Sequence, residues 1–255
     1  METYKERMIT VMKIGLQMYT LRNVMNTVAE MEQAVARVKE IGYDCVQLAG
    51  SLEQMEQVGL AAKKVGLEVV SFMASLDVYM QDEEETFRVA RLLGATDLGI
   101  SSAHTTLEET KVLIERANAF AKRAKAAGFT LSYHNHSNEL MHMDGRKTGL
   151  EILLENFWEE ICFTPDTYWI QHGGADVRQW IAKLGSRTKI LHLKDMKRLP
   201  DKSVTFAEIG EGNLWWESIL PLAASMGIEY YVVEQDSCDK DPFEYLSKKM
   251  KALEE

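Results

Sequence analysis

The chain has 255 residues, 46% of them hydrophobic, and a formal net charge of −10. This composition is ordinary for a globular protein and excludes a disordered one, and no apolar run is long enough to span a membrane. An acidic chain repels phosphate backbones, and the densest basic runs, KRAK at 122–125 and SKKMK at 247–251, fall in helical patterns as solvated faces, so no nucleic-acid partner is expected. The opening METYKERMIT mixes charges of both signs without a long apolar stretch, unlike a signal peptide. Cys45, Cys162 and Cys238 are odd in number and far apart. They fit small buried residues in a reducing cytoplasm better than a disulfide framework or a CxxC metal site.

Short runs rich in Val, Ile, Leu and Tyr alternate with amphipathic helical patterns. KIGLQMY is a first strand. Residues 28–40 read as a helix, with Met31, Val35 and Val38 on one face. CVQLAG is a second strand, and Ser51 is placed to cap the helix that ends at Val65-Gly66. LEVVSFMA is a third strand, followed by a helix over 83–93 and the strand LGISSA. A helix over 108–127 stops at Gly128. TLSYHNH is strand five, 149–158 a helix, ICFTPDTYW strand six, 176–184 a helix and KILHLKDM strand seven. A polar segment, 197–213, precedes a helix over 215–226, the strand IEYYVVEQD and a last helix over 242–254.

Eight strand–helix units with no linker between them predict a single domain over 1–255. Parallel strands joined by helical crossovers, in about 250 residues, have the size of an α/β (β/α)8 TIM barrel. An open doubly wound sheet is the runner-up, but it favours a glycine-rich first turn, and LQMYTLRN is not one.

Barrel active sites lie at the C-terminal ends of the strands. Strand five ends in His134, Asn135 and His136, with Glu139 just beyond. Strand six carries Asp166, strand seven His192 with Lys194 and Asp195, and strand eight ends in Glu234, Gln235 and Asp236. Alone, His192 reads as a hydrogen-bonded core histidine as readily as a ligand, Asp166 as a turn cap, and Glu234 as a lysine's partner. Four strand ends carrying ligand-type residues are hard to explain as packing. A mixed nitrogen–oxygen set suits Mn²⁺, Fe²⁺, Co²⁺ or Zn²⁺ better than calcium. Strand alternation puts His134 and His136 on one face, Tyr133 and Asn135 on the other. Gln17 and Arg22 sit at the first strand end, where Arg22 reads equally as a substrate ligand or a structural ion pair. His104 ends strand four and is a candidate for the barrel mouth; His142 and His172 read as surface residues.

These motifs resemble the sugar phosphate isomerase/epimerase family of xylose isomerase-like TIM barrels. The resemblance runs through LQMYTLR, YHNHSNEL, GLEILLE, TPDTYWIQHGG, LHLKDM, FAEIGEGNLWW and YYVVEQD followed by DPFEYL. It implies one divalent metal ion (Mn²⁺, Co²⁺, Zn²⁺ or Mg²⁺), with Asp166, His192 and Glu234 as ligands. The strand-five ligand of the family is commonly a glutamate in an E-N-H-like motif; here the motif is H-N-H. Either His134 binds the metal or Glu139 reaches back to do so.

The resemblance also implies a small-molecule carbohydrate substrate and a metal-dependent isomerase or epimerase, in which a proton leaves a carbon beside a carbonyl and an enediolate forms. Glu234 is the candidate base, and His136 or Glu139 the opposite acid/base. Lys194 is a candidate for stabilising an oxyanion, and Glu211, in the GEGN loop, for binding a sugar hydroxyl. Dehydration of an inosose, β-elimination of a keto-glycoside, and non-catalytic sugar binding are the alternatives. Endonuclease-IV-type repair enzymes share the barrel but need a multi-zinc cluster and a DNA groove, which six histidines and the acidic balance oppose. A homo-oligomer is compatible with the family.

Overall fold

A computed structural model describes residues 12–237 and 241–254. The opening METYKERMIT and Cys238 lie outside the described residues. The elements, in chain order, are β1 (Lys13–Gln17), α1 (Val28–Ile41), β2 (Cys45–Ala49), α2 (Leu52–Lys64), β3 (Glu68–Ala74), α3 (Leu76–Gln81), α4 (Glu83–Leu93), β4 (Asp97–Ile100), α5 (Leu107–Ala126) and β5 (Thr130–His134). There follow α6 (Gly149–Asn156), β6 (Cys162–Thr164), α7 (Thr167–His172), α8 (Val177–Leu184), β7 (Ile190–Leu193), β8 (Asp195–Arg198), β9 (Val204–Ala207), α9 (Trp216–Ser225), β10 (Tyr230–Val233) and α10 (Pro242–Glu254).

Helix starts are written locally. Thr27 with Glu30, Ser51 with Gln54, Thr106 with Glu109 and Thr148 with Glu151 form reciprocal capping boxes that satisfy otherwise orphaned N–H groups. At the other end of α1, Gly42 takes a left-handed conformation (φ 112°) that a side chain would strain.

Eight parallel strands pair in the order β6-β5-β4-β3-β2-β1-β10-β7. The remaining gap is bridged where Phe163 meets Thr188 and Asp166 meets His192, both in parallel register. The His192 N–H donates to the Pro165 carbonyl at 2.9 Å across that seam. The sheet therefore closes into a nearly complete TIM barrel, and the open doubly wound alternative is excluded.

Strand alternation divides two interiors. Leu16, Leu48, Phe72, Leu98, Leu131, Phe163, Leu191 and Val233 face outward and form the main core with the surrounding helices. The inward positions are unusually polar: Gln17, Gln47, Ser71, Asp97, Ser132, His134, Thr164 and His192 are joined across the barrel by hydrogen bonds or ring contacts.

The structure corrects the sequence reading at three places. Strand six is short, and Asp166 lies two residues past it as the N-cap of α7. The polar segment after strand seven folds into the antiparallel hairpin β8–β9. A short helix, α3, stands between β3 and α4. The basic run at 122–125 is a solvated face, where Arg123 pairs with Glu83 and Lys125 with Glu160. Among the described residues no helix is long and apolar enough to cross a membrane.

Candidate metal centre

His134, Asp166, His192 and Glu234 are all buried, and one ligand atom from each lies within 4.8 Å of the other three. Each comes from the C-terminal end of a barrel strand or the turn just after it. The His134 and His192 rings are 4.5 Å apart. His192 Nδ1 lies 3.1 Å from Glu234 Oε2 and 3.8 Å from Asp166 Oδ2. Asp166 is fixed from both sides: its backbone N–H donates to Asn135 Oδ1 at 3.1 Å, and its carboxylate accepts from the Trp169 N–H at 2.9 Å.

Two observations test whether this set fits a divalent ion. His134 Nδ1 is buried without a hydrogen-bond partner, and Asp166 Oδ2 is met only by the Lys194 ammonium and, at 3.8 Å, by His192 Nδ1. Buried polar atoms are normally satisfied, so an unpartnered imidazole nitrogen within this cluster marks a place for a ligand. The second observation is charge. Lys194, wholly buried, reaches Asp166 Oδ2 at 3.1 Å, Glu234 Oε2 at 2.8 Å and Asp236 Oδ2 at 3.2 Å. Three carboxylates against one ammonium leave two negative charges, which a divalent cation balances.

The local field keeps His134, Asp166 and Glu234 in ligand form; at His192 burial opposes the charged ring, but Asp166 and Glu234 outweigh it and raise its pKa. Burial, aided by the neighbouring His192 and His136, pushes the His134 pKa well below the imidazole range, so its ring is neutral. Burial alone would neutralise Glu234 and Asp166, but Lys194 and His192 outweigh it and hold both carboxylates below their usual range. Burial likewise opposes charge on Lys194, and Asp166, Glu234 and Asp236 overcome it and raise its pKa.

A cavity of about 470 Å³ opens directly above these groups. His134, His136, His192, Glu234 and Asp236 form its polar end, and Met73, Ala74 and Val78 its apolar side. Gln17 and Arg22 also line it. Gln17 is committed to its neighbours, donating to Gln47 Oε1 at 2.6 Å and accepting from the Tyr19 N–H at 3.2 Å. Arg22 stacks over Tyr19 with its guanidinium 4.0 Å from the ring centre and donates to the Asp236 carbonyl at 2.5 Å.

Three expected site residues stand elsewhere. Glu139 is buried behind strand five, where it accepts from Tyr133 Oη at 2.5 Å and from the His136 N–H at 3.0 Å. It follows Tyr133 to the outer face of the strand and is not part of the four-residue cluster, so His134 is the strand-five residue that meets Asp166, His192 and Glu234. His104 lies in the loop after β4 and packs beside Tyr133; it lines a separate cavity with Glu108 and Arg116. Glu211 is exposed and outside the lining of the mouth.

Sequence reasoning missed Gln47 and named Asp195 without giving it a role. Gln47 Oε1 contacts His192 Nε2 at 2.7 Å; a glutamine inside the apolar run CVQLAG was the available signal. Asp195 accepts from the Gly210 and Gly212 N–H groups and from Trp216 Nε1, so it pins the loop carrying Glu211. A Cβ at Gly212 would run into that carboxylate, which explains the glycine.

Residues 35–255 match the family described as xylose isomerase-like TIM barrel. Over 165 residues the chain is 26% identical to an inosose dehydratase of Clostridium perfringens, covering 58% of this chain and 55% of that relative. The match thus spans about half the length of the curated relative. Among solved structures, a sugar phosphate isomerase/epimerase from Parabacteroides distasonis superposes with a TM-score of 0.76 at 22% identity, over 94% of this chain and 93% of that one. A xylose isomerase-like TIM barrel protein from Mycobacterium smegmatis, in complex with magnesium, superposes with a TM-score of 0.71 at 14% identity, over 95% of each chain.

Proposed function

The chain belongs to the xylose isomerase-like TIM barrel family, and from that premise we propose that it is a metal-dependent enzyme that moves a proton beside the carbonyl of a ketose, keto-sugar or related polyol, as an isomerase or epimerase. The observation that carries this reading is the four buried, converging donor side chains, with His134 Nδ1 unpartnered, beneath an open cavity.

His134, Asp166, His192 and Glu234 would hold one divalent ion. Such an ion, when bound, polarises a carbonyl and stabilises the negative charge that develops on its oxygen. The remaining work falls to side chains. Glu234, kept anionic by Lys194, takes the proton from the carbon beside the carbonyl. His136 lines the same cavity and serves the opposite face, returning a proton to epimerise the centre. Glu139 supports His136 through its backbone N–H rather than touching substrate. Lys194 acts by fixing the charge state of Asp166 and Glu234.

Dehydration is the second reading, favoured by the inosose dehydratase match. The first step is the same; His136 then protonates a departing hydroxyl instead of the carbon.

The test is deuterium exchange in D₂O with Mn²⁺ and a panel of ketoses, inososes and 3-keto-glycosides. The expected result is exchange beside the carbonyl, reduced about 100-fold or more in Glu234→Gln. An epimer as product supports the first reading, and loss of water the second. Exchange unaffected by Glu234→Gln would contradict the assigned base.

A further inference from the structure

We propose that Gln47 is a positioning residue that fixes which nitrogen of His192 faces the ligand cluster. The inference rests on the metal-site reading above and deepens it.

One direction of hydrogen-bond donation runs through the barrel. Asp97, near the opposite end of the barrel, is acceptor-only when ionised, and its Oδ2 takes hydrogen bonds from Ser71 Oγ at 2.6 Å and Ser132 Oγ at 2.7 Å. The other acceptor within reach of the Ser71 hydroxyl is the Phe72 carbonyl, at 2.8 Å. Its single proton is spent on one of these acceptors, so Ser71 presents a lone pair to Gln47. Only the amide nitrogen of Gln47 satisfies that lone pair, at 3.2 Å. The amide is therefore oriented, with Oε1 pointing the other way.

Gln47 Oε1 meets two groups, Gln17 Nε2 at 2.6 Å and His192 Nε2 at 2.7 Å. Gln17 is held in turn, because its own Oε1 accepts from the Tyr19 N–H. An amide oxygen can only accept, so His192 Nε2 must carry a proton. That leaves Nδ1 as the nitrogen facing Asp166 and Glu234. Glutamine, serine and aspartate from three successive strands thus hold the imidazole in one orientation, as second-layer hydrogen bonds do for metal-binding histidines generally. The mechanism above does not use these residues, and none of Gln47, Ser71 or Asp97 belongs to the ligand set.

The test uses the full chain labelled with ¹⁵N-histidine. Long-range proton–nitrogen correlation spectra are recorded with and without Zn²⁺, and the His192 signals are identified by their loss in His192→Gln. The expected result is a proton on Nε2 in both states, with Nδ1 changing on Zn²⁺ addition. A bare Nε2 in either state overturns the proposal, whether or not metal binds. In Gln47→Met, which keeps volume and removes the acceptor, Zn²⁺ affinity by calorimetry should fall about 10- to 100-fold with one site retained. Ser71→Ala, which removes the anchor of the amide and its link to Asp97 but keeps the Gln47 acceptor, should fall less. Unchanged affinity in a folded Gln47→Met protein overturns the proposal. Failure of the wild-type protein to bind Zn²⁺ or Mn²⁺ instead overturns the metal reading, and the nitrogen spectrum still decides the orientation of His192.

Discussion

Lys194 Nζ lies 2.8 Å from Glu234 Oε2, with the lysine wholly buried and the glutamate buried but for its edge on the cavity. The same ammonium touches Asp166 and Asp236, so one lysine holds together three carboxylates at the base of the cavity. Removing one partner of a buried charge cluster leaves the others uncompensated. Lys194→Met should therefore lower the stability of the metal-free protein by about 3–5 kcal/mol, read from denaturant midpoints. Added Mn²⁺ should recover part of that loss, because it supplies positive charge at the same place. An unchanged midpoint would show that Lys194 does not neutralise the cluster.

Tyr133 and Glu139 make a second buried pair, at 2.5 Å. Burial and the nearby carboxylate keep the Tyr133 phenol protonated, so it donates and Glu139 accepts. Tyr133→Phe removes a donor from a buried acceptor and should cost about 1–3 kcal/mol in thermal or chemical unfolding. Metal content should stay the same in both Tyr133→Phe and Glu139→Gln. Loss of metal from Glu139→Gln would return Glu139 to the ligand set.

Asp97 gives a pH signature. Burial raises its pKa to about 6, against the lowering effect of Ser71 and Ser132. The folded value lies above the unfolded one, so its contribution to stability is full below about pH 4, declines as pH rises through about 6, and is constant above. The difference is at most about 3 kcal/mol, and less to the extent that water reaches the half-buried residue. Asp97→Asn should therefore gain stability relative to wild type as pH increases from 4 to 7. A constant difference between the two proteins across that range would contradict the raised pKa.

The barrel was legible because eight apolar runs of strand length alternate with helices whose caps, such as Ser51 and Thr106, are written in neighbouring residues. His134, Asp166, His192 and Glu234 were legible because ligand-type residues at successive strand ends converge once the strands are parallel. What escaped depends on direction and depth. Glu139 is only five residues from His134, yet its carboxylate follows Tyr133 to the outer face, and spacing does not encode that choice. His104 read as a strand end because LGISSA is apolar, but β4 stops at Ile100 and the loop carries the ring away from the mouth. Lys194 read as a candidate for stabilising an oxyanion; its burial among three carboxylates depends on groups contributed by other strands, long after it in sequence or well before. Gln47 and Ser71 matter through contacts across three strands, which no local pattern records.

The central claim is that four side chains form one metal site. Elemental analysis of the purified protein after Mn²⁺ loading and removal of free metal, beside a His192→Ala/Glu234→Ala variant treated identically, tests it most directly. The account predicts about one ion per chain in the wild-type protein and none retained in the variant. Metal absent from both, or equal in both, would contradict it.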